Sequence, residues 1–340
     1  MDFSLQPSDK LIYKGRQELP AIQMLKLVAA LFVVQIHTES AIREYLMPLC
    51  RMAVPLFFMI SGYFLVSDNG TLEAPRLRRA FVKVLKLTLA VNVIYFIWRV
   101  ILSASHGFDF LQYAATAECW TDFLLTGRTF GIHLWYLTAY LQSLALFYVA
   151  VRLRMENLLL WLVPVCIAVN IALGSYHSLF FDGVTDEAVH RNFFTIALPC
   201  FGLGVLFRRC EHRLPSVQTL LTCAALLLAL MITERLLLGG EKYMHGDIAL
   251  ATIPMACVLF ALCLCLSPVA GAGMFSSLGR NYSLDIYVYH VMAYNVIQKY
   301  VSTEYAAIYT LLAIVVTAVI IAGKQTSLRM VASAKSRIVA

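Results

Sequence analysis

The sequence predicts an all-α fold: a polytopic membrane helical bundle of about ten transmembrane helices, with both termini in the cytoplasm. Three observations lead there. Of the 340 residues, 60% are hydrophobic and only 14% are charged, whereas soluble domains carry about 25% charged residues; the mean hydropathy is +0.75. Apolar runs close to the roughly 20 residues that a bilayer demands recur from one end to the other. Lys and Arg collect in alternate loops, as they do on the cytoplasmic side of membrane proteins. The chain reads as one membrane domain, 1–340: an N-terminal cytoplasmic segment 1–19, a bundle 20–323 and a cytoplasmic tail 324–340.

The opening MDFSLQPSDK mixes acidic and basic residues. It has neither the apolar core nor the small-residue cleavage site of a signal peptide. The spans follow at roughly 20–38, 48–66, 80–102, 133–151, 157–174, 192–208, 216–238, 247–267, 281–299 and 304–323. Between the third and fourth, 110–125 is mixed polar and apolar and reads as an interfacial or re-entrant piece. With ten spans, five basic groups fall on one side: Lys10, Lys14 and Arg16; Arg76, Arg78, Arg79 and Lys83; Arg152 and Arg154; Arg208, Arg209 and Arg213; and Lys324, Arg329, Lys335 and Arg337. The acidic stretch FDGVTDE, 181–187, falls on the other. The net charge of +7 therefore sets topology rather than binding nucleic acid. The nine cysteines sit mostly inside apolar runs, with no zinc-ligand spacing; they read as small buried hydrophobes, and no metal is expected.

Polar residues within the spans carry the chemistry, because at that depth they are rare and face protein or a water-filled cavity. Lys26 and His37 bracket the apolar run LVAALFVVQI. On a helix they lie roughly 16 Å apart, about half a hydrocarbon core. Glu39 follows His37, but i,i+2 spacing argues against direct contact on one helix. Arg51 opens the second span, His133, Trp135 and Tyr136 the fourth, and Arg191 with Asn192 the sixth, all from outside. Arg280, Asn281 and Ser283 open the ninth from the cytoplasm, with Asp285 and His290 deeper in. Each has a plainer reading: snorkelling for Arg51, an aromatic belt for Trp135 and Tyr136, an interhelical hydrogen bond for His290. These residues point to a polytopic protein with an intramembrane polar site, either a transporter or an enzyme.

Four stretches resemble acyltransferase family 3 of membrane proteins: Lys26–x10–His37; RMAVPLFFMISG at 51–62; HLWYL at 133–137; and LGRNYSLDIYVYH at 278–290. RNFFTIALPCFGLG from Arg191 is a weaker match. The chain is also similar to the membrane domain of vancomycin-resistance serine racemases, with no racemase domain following. The first basic residue is usually Arg in the family and is Lys here, which keeps the charge and loses the bidentate fork. The resemblance implies an acyltransferase of the O-acetyltransferase type. It would move an acyl group, acetyl foremost, from cytoplasmic acyl-CoA to a hydroxyl of an extracytoplasmic acceptor, a cell-surface glycan or its lipid-linked precursor, in a bacterial plasma membrane.

On that reading His37 is the general base, Glu39 its orienting partner and Arg51 an oxyanion stabiliser, with Asn192 as a second candidate for that role. Lys26, Arg280, Ser283 and His290 hold acetyl-CoA, and His133, Trp135, Tyr136, Arg191 and Asn192 hold the acceptor. The rival is a transporter or exporter of a glycan or small solute, which calls for coupling-ion carboxylates and inverted repeats. The spans offer few carboxylates, essentially Asp285 and Glu234. A sensor without catalysis is a third reading.

Overall fold

In the computed structural model, the described residues are 12–13, 16–17, 19–39, 43–106, 110–181, 187–238, 248–271, 273–301 and 308–339. A two-residue antiparallel pairing, β1 (Ile12–Tyr13) with β2 (Arg16–Gln17), precedes the helices. The principal helices are α1 (Pro20–His37), α2 (Arg43–Cys50), α3 (Ala53–Leu65), α4 (Ala74–His106), α7 (Trp135–Arg152) and α8 (Glu156–Leu173). After them come α11 (Leu198–Arg209), α12 (Val217–Leu238), α13 (Thr252–Leu266), α14 (Met274–Tyr300) and α15 (Tyr309–Val339). Short helices α5 (Phe110–Ala114) and α6 (Ala117–Thr126) fill the 110–125 segment, and α9 (His177–Phe180) and α10 (Glu187–His190) precede a π-helical turn, Phe193–Ala197, that leads into α11.

Each of the ten expected spans finds a helix. Seven helical stretches are long and apolar enough to cross a membrane by length and composition, the pair α2–α3 counting as one. The other three expectations fall on helices of different character. α13 is apolar but short. α11 is short and gains its length from the π turn. α14 is long but polar, with Arg280, Asn281, Asp285 and His290. A helix surrounded by other helices needs no lipid-compatible face, and polar groups concentrate on those that line an interior. The tail expected from 324 onward continues α15 as helix to Val339.

Large apolar side chains are exposed on the outer faces, among them Val93, Ile97 and Ile101 of α4 and Leu226 of α12. Apolar surface inside and outside alike is the mark of a bundle solvated by lipid. The chain is a multi-pass membrane protein.

At one end, three loops are tied together. Arg208 meets Asp68 at 2.6 Å, and Arg209 donates to the Gly70 carbonyl at 3.1 Å and to Asn157 at 2.8 Å. These are loops expected on one side from their charge. At the other end Arg235 meets Glu44 at 3.7 Å and lies over the Tyr45 ring.

Helix contacts inside are close. A Cβ on Gly62 of α3 would run into the Phe201 carbonyl of α11, and one on Gly279 of α14 into the Gln23 carbonyl of α1. Glycine there lets backbones approach as no other residue would. The α1–α14 approach brings the ends of Lys26–x10–His37 alongside Arg280–His290.

Candidate active site

α1 ends at His37. Thr38 turns extended, and its hydroxyl bonds back to the Val34 carbonyl (3.0 Å) and across to Thr310 (2.7 Å). Arg43 donates to the Ile36 carbonyl at 3.1 Å. These groups satisfy the carbonyl end of α1 and fix where the imidazole hangs.

Three histidines from three elements meet there. The His37 ring lies 5.1 Å from that of His290 and 6.2 Å from that of His133, and His133 lies 5.1 Å from His290. His37 is half-buried, and the other two are buried behind it. His290 Nδ1 lies 2.8 Å from the Tyr287 carbonyl. A carbonyl only accepts, so Nδ1 bears the proton and Nε2 is the basic nitrogen. That Nε2 is buried with no hydrogen-bond partner among the described residues. A buried polar atom left so is costly, and such atoms concentrate at functional sites. Tyr287 donates to the His133 carbonyl and Tyr95 to the Val288 carbonyl, both at 2.6 Å. The Tyr95 ring packs on His133 at 4.8 Å. The two tyrosines thus lock α14 to α4 and to the turn before α7.

Arg51, Arg191 and Arg43 lie within electrostatic reach of His37. Arg191 lies in the bend between α10 and the π-helical turn. Asn192 caps that turn, its Oδ1 accepting from the Phe194 and Thr195 amides at 2.9 and 3.0 Å while its Nδ2 donates to the Val189 carbonyl at 2.8 Å. Single π turns of this kind often mark functional positions.

Toward the loop end joined by Arg208 and Arg209, a cavity of about 780 Å3 opens between α1, α3, α4, α7 and α14. Its cations are Lys26, Arg76, Arg79, Lys83 and Arg280, and Ser283 lines it too. Deeper in, Tyr136 and Tyr287 form its wall. Their rings lie 5.3 Å apart, and Tyr287 lies 5.4 Å from His133. The cavity therefore runs from a cationic mouth to the Tyr136–Tyr287 wall, and Tyr287 packs on His133 of the histidine cluster behind it. Among the described residues no group of three or more His, Cys, Asp or Glu is arranged to hold a metal ion.

The structure brings together Lys26, Arg280 and Ser283 as grouped from sequence, and His37 with Arg51 and Arg191. It redistributes the rest. His290 sits beside His37 rather than with the cationic mouth. Tyr136 lines the cationic cavity, because it lies one turn past His133 on α7. Trp135 is buried in the core at 8% exposure and is neither a belt residue nor a cavity wall. Asn192 holds a turn with its amide. Glu39 is exposed beyond the end of α1, near Tyr294, outside the histidine cluster. Arg76, Arg79 and Lys83, which topology alone explains in the sequence, also line the cavity. Their i, i+3, i+7 spacing puts them on one helix face, and that was the available signal.

The family model described as an acyltransferase domain matches residues 19–323. The chain belongs to acyltransferase family 3. It is also similar to the serine/alanine racemase of Enterococcus gallinarum, 27% identical over 268 residues, which is 72% of this chain and 37% of that protein. The match thus spans little more than a third of the relative's length. No solved structure matches the chain significantly. The matched region takes in all the helices that hold the histidine cluster and the cationic cavity.

Proposed function

We propose that the chain transfers acetyl from cytoplasmic acetyl-CoA to a hydroxyl of an extracytoplasmic glycan or its lipid-linked precursor, in a bacterial plasma membrane. The observation that carries this is a cavity with five cations whose inner wall, Tyr136 and Tyr287, backs onto the three-histidine cluster. The CoA nucleotide is polyanionic, and five cations suit its phosphates. The pantetheine arm is slender and extended, and the distance from Lys26 to His37, roughly 16 Å along the helix, is one that such an arm bridges. The cationic mouth then faces the cytoplasm, in keeping with the positive-inside loops.

His37, the most accessible of the three histidines, takes the proton of the acceptor hydroxyl as its oxygen attacks the thioester carbonyl. Arg51 and Arg191 face the oxyanion that develops. As the tetrahedral species collapses, the C–S bond breaks, and the imidazolium returns its proton to the departing CoA thiolate. His290, its Nδ1–H tied to a carbonyl, keeps a fixed ring beside His37 and orients it.

The transporter reading loses support at its carboxylates. Asp285 pairs with Lys324 at 2.6 Å, and Glu234 accepts from Tyr176 (2.5 Å) and from the Leu250 and Ala251 amides (2.7 and 3.1 Å). Both are engaged in holding helices together.

The test is transfer of radiolabelled acetyl from acetyl-CoA in membranes carrying the wild type or His37→Ala. Label should reach an acceptor only with the wild type. Equal labelling by both would remove His37 from the chemistry.

A further inference from the structure

The seam between α4 and α14 holds a second cavity, beyond the histidine cluster from the cationic one. It measures about 360 Å3 and is lined by Arg99, Ser103 and Phe110 on one side and Asn295, Gln298 and Lys299 on the other. Helical spacing fixes its place. Tyr95, packed on His133, shares a face with Arg99 and Ser103 at i+4 and i+8; Val288, which accepts the Tyr95 hydroxyl, shares one with Asn295 and Lys299 at i+7 and i+11. At about 1.5 Å per residue, Arg99 lies roughly 6 Å and Ser103 roughly 12 Å past Tyr95. The two cavities are thus consecutive on one seam, with the histidines between them.

The lining has a definite chemistry. Arg99 and Lys299 supply two cations, and the described lining holds no Asp or Glu. Asn295, Gln298 and Ser103 offer donors and acceptors suited to hydroxyls. The Phe110 ring gives an apolar face, with the Arg99 guanidinium 5.5 Å above its centroid. Cations with no carboxylate in the described lining select an anion.

We propose that this cavity docks the acceptor, and that the acceptor is a polyhydroxylated sugar carrying a negative charge, carboxylate or phosphate. This rests on the acyl-transfer reading and adds the substrate class. It also moves acceptor recognition from Trp135 and Asn192 to Arg99 and Lys299.

The test is binding by the full chain in phosphatidylcholine nanodiscs, using glucose, glucuronate and glucose 1-phosphate as probes, for the wild type and Arg99→Gln/Lys299→Gln. Retention of the acetyl-CoA-induced thermal shift shows that the variant is folded. The wild type should bind one charged sugar at least tenfold more tightly than glucose, and the variant should lose that preference. A stronger phosphate response identifies a phosphorylated sugar, a stronger glucuronate response a uronic acid. Equal binding of all three probes, or a preference that survives in the variant, overturns the proposal. So does a preference abolished by adding phosphatidylglycerol to the nanodisc, which would mark a lipid-headgroup site. The assay needs no turnover, so an intact preference beside failed acetyl transfer would sink the transfer reading alone.

Discussion

Arg76, Arg79 and Lys83 give the account a quantitative test. If the cavity they line binds the phosphates of CoA, replacing Arg76 and Arg79 with Gln should weaken donor binding and little else. A charge pair at about 4 Å with an effective dielectric of about 20 is worth ~4 kcal/mol. Arg79 is exposed and Arg76 half-buried, so solvent and salt reduce this to about 1 kcal/mol for each. Together that is ~2 kcal/mol, or about thirtyfold in binding. The thioester reacts at the histidines, several turns away, so the loss is uniform between ground and transition state. KM for acetyl-CoA should rise about thirtyfold while kcat stays within twofold. Added salt should raise the wild-type KM more steeply than that of the variant. Steady-state kinetics in nanodiscs across a salt series reads all three. An unchanged KM, or a kcat that falls as far as kcat/KM, would refute the reasoning and leave these arginines as topology signals only.

Other residues make separate predictions. His290→Ala frees the ring of the base His37 and should lower kcat by about 10², the cost of a misplaced catalytic group, with KM for acetyl-CoA unchanged; a raised KM would return His290 to the donor site. Gly62→Ala should destabilise by about 1–3 kcal/mol through overpacking and lower the melting temperature in detergent. Gly323→Ala, inside α15 where an added Cβ meets nothing within 4 Å, should not lower the melting temperature, since alanine is the better helix former. Glu234→Ala strands the Leu250 and Ala251 amides and should cost about 3 kcal/mol, read as a lower melting temperature with transfer per folded molecule retained.

Most of the bundle was legible because a bilayer imposes length and hydropathy on every lipid-facing helix. Where the constraint relaxes, as in polar α14 and short α11, the helix departs from the length or hydropathy by which its span was read. The Lys26–His37 pair was legible because one helix holds both residues, and the 1.5 Å rise converts sequence to distance. The convergence of His133 and His290 on His37 was not, since it depends on the α1–α14 approach that Gly279 permits and on the Tyr95 and Tyr287 hydrogen bonds. Trp135 misled because an aromatic at a helix start reads alike at an interface and in a core. Arg76 and Arg79 were hidden because a cytoplasmic arginine already had a sufficient topological explanation.

The central claim is that a cytoplasmic donor and an outer acceptor meet at His37. The most direct measurement is acetyl transfer from radiolabelled acetyl-CoA in inverted and right-side-out vesicles, with wild type beside His37→Ala. The account predicts label on a lumenal acceptor in inverted wild-type vesicles, where the cytoplasmic face is exposed, and none in right-side-out vesicles or with the variant. Equal labelling from both faces, or labelling that persists without His37, would contradict it.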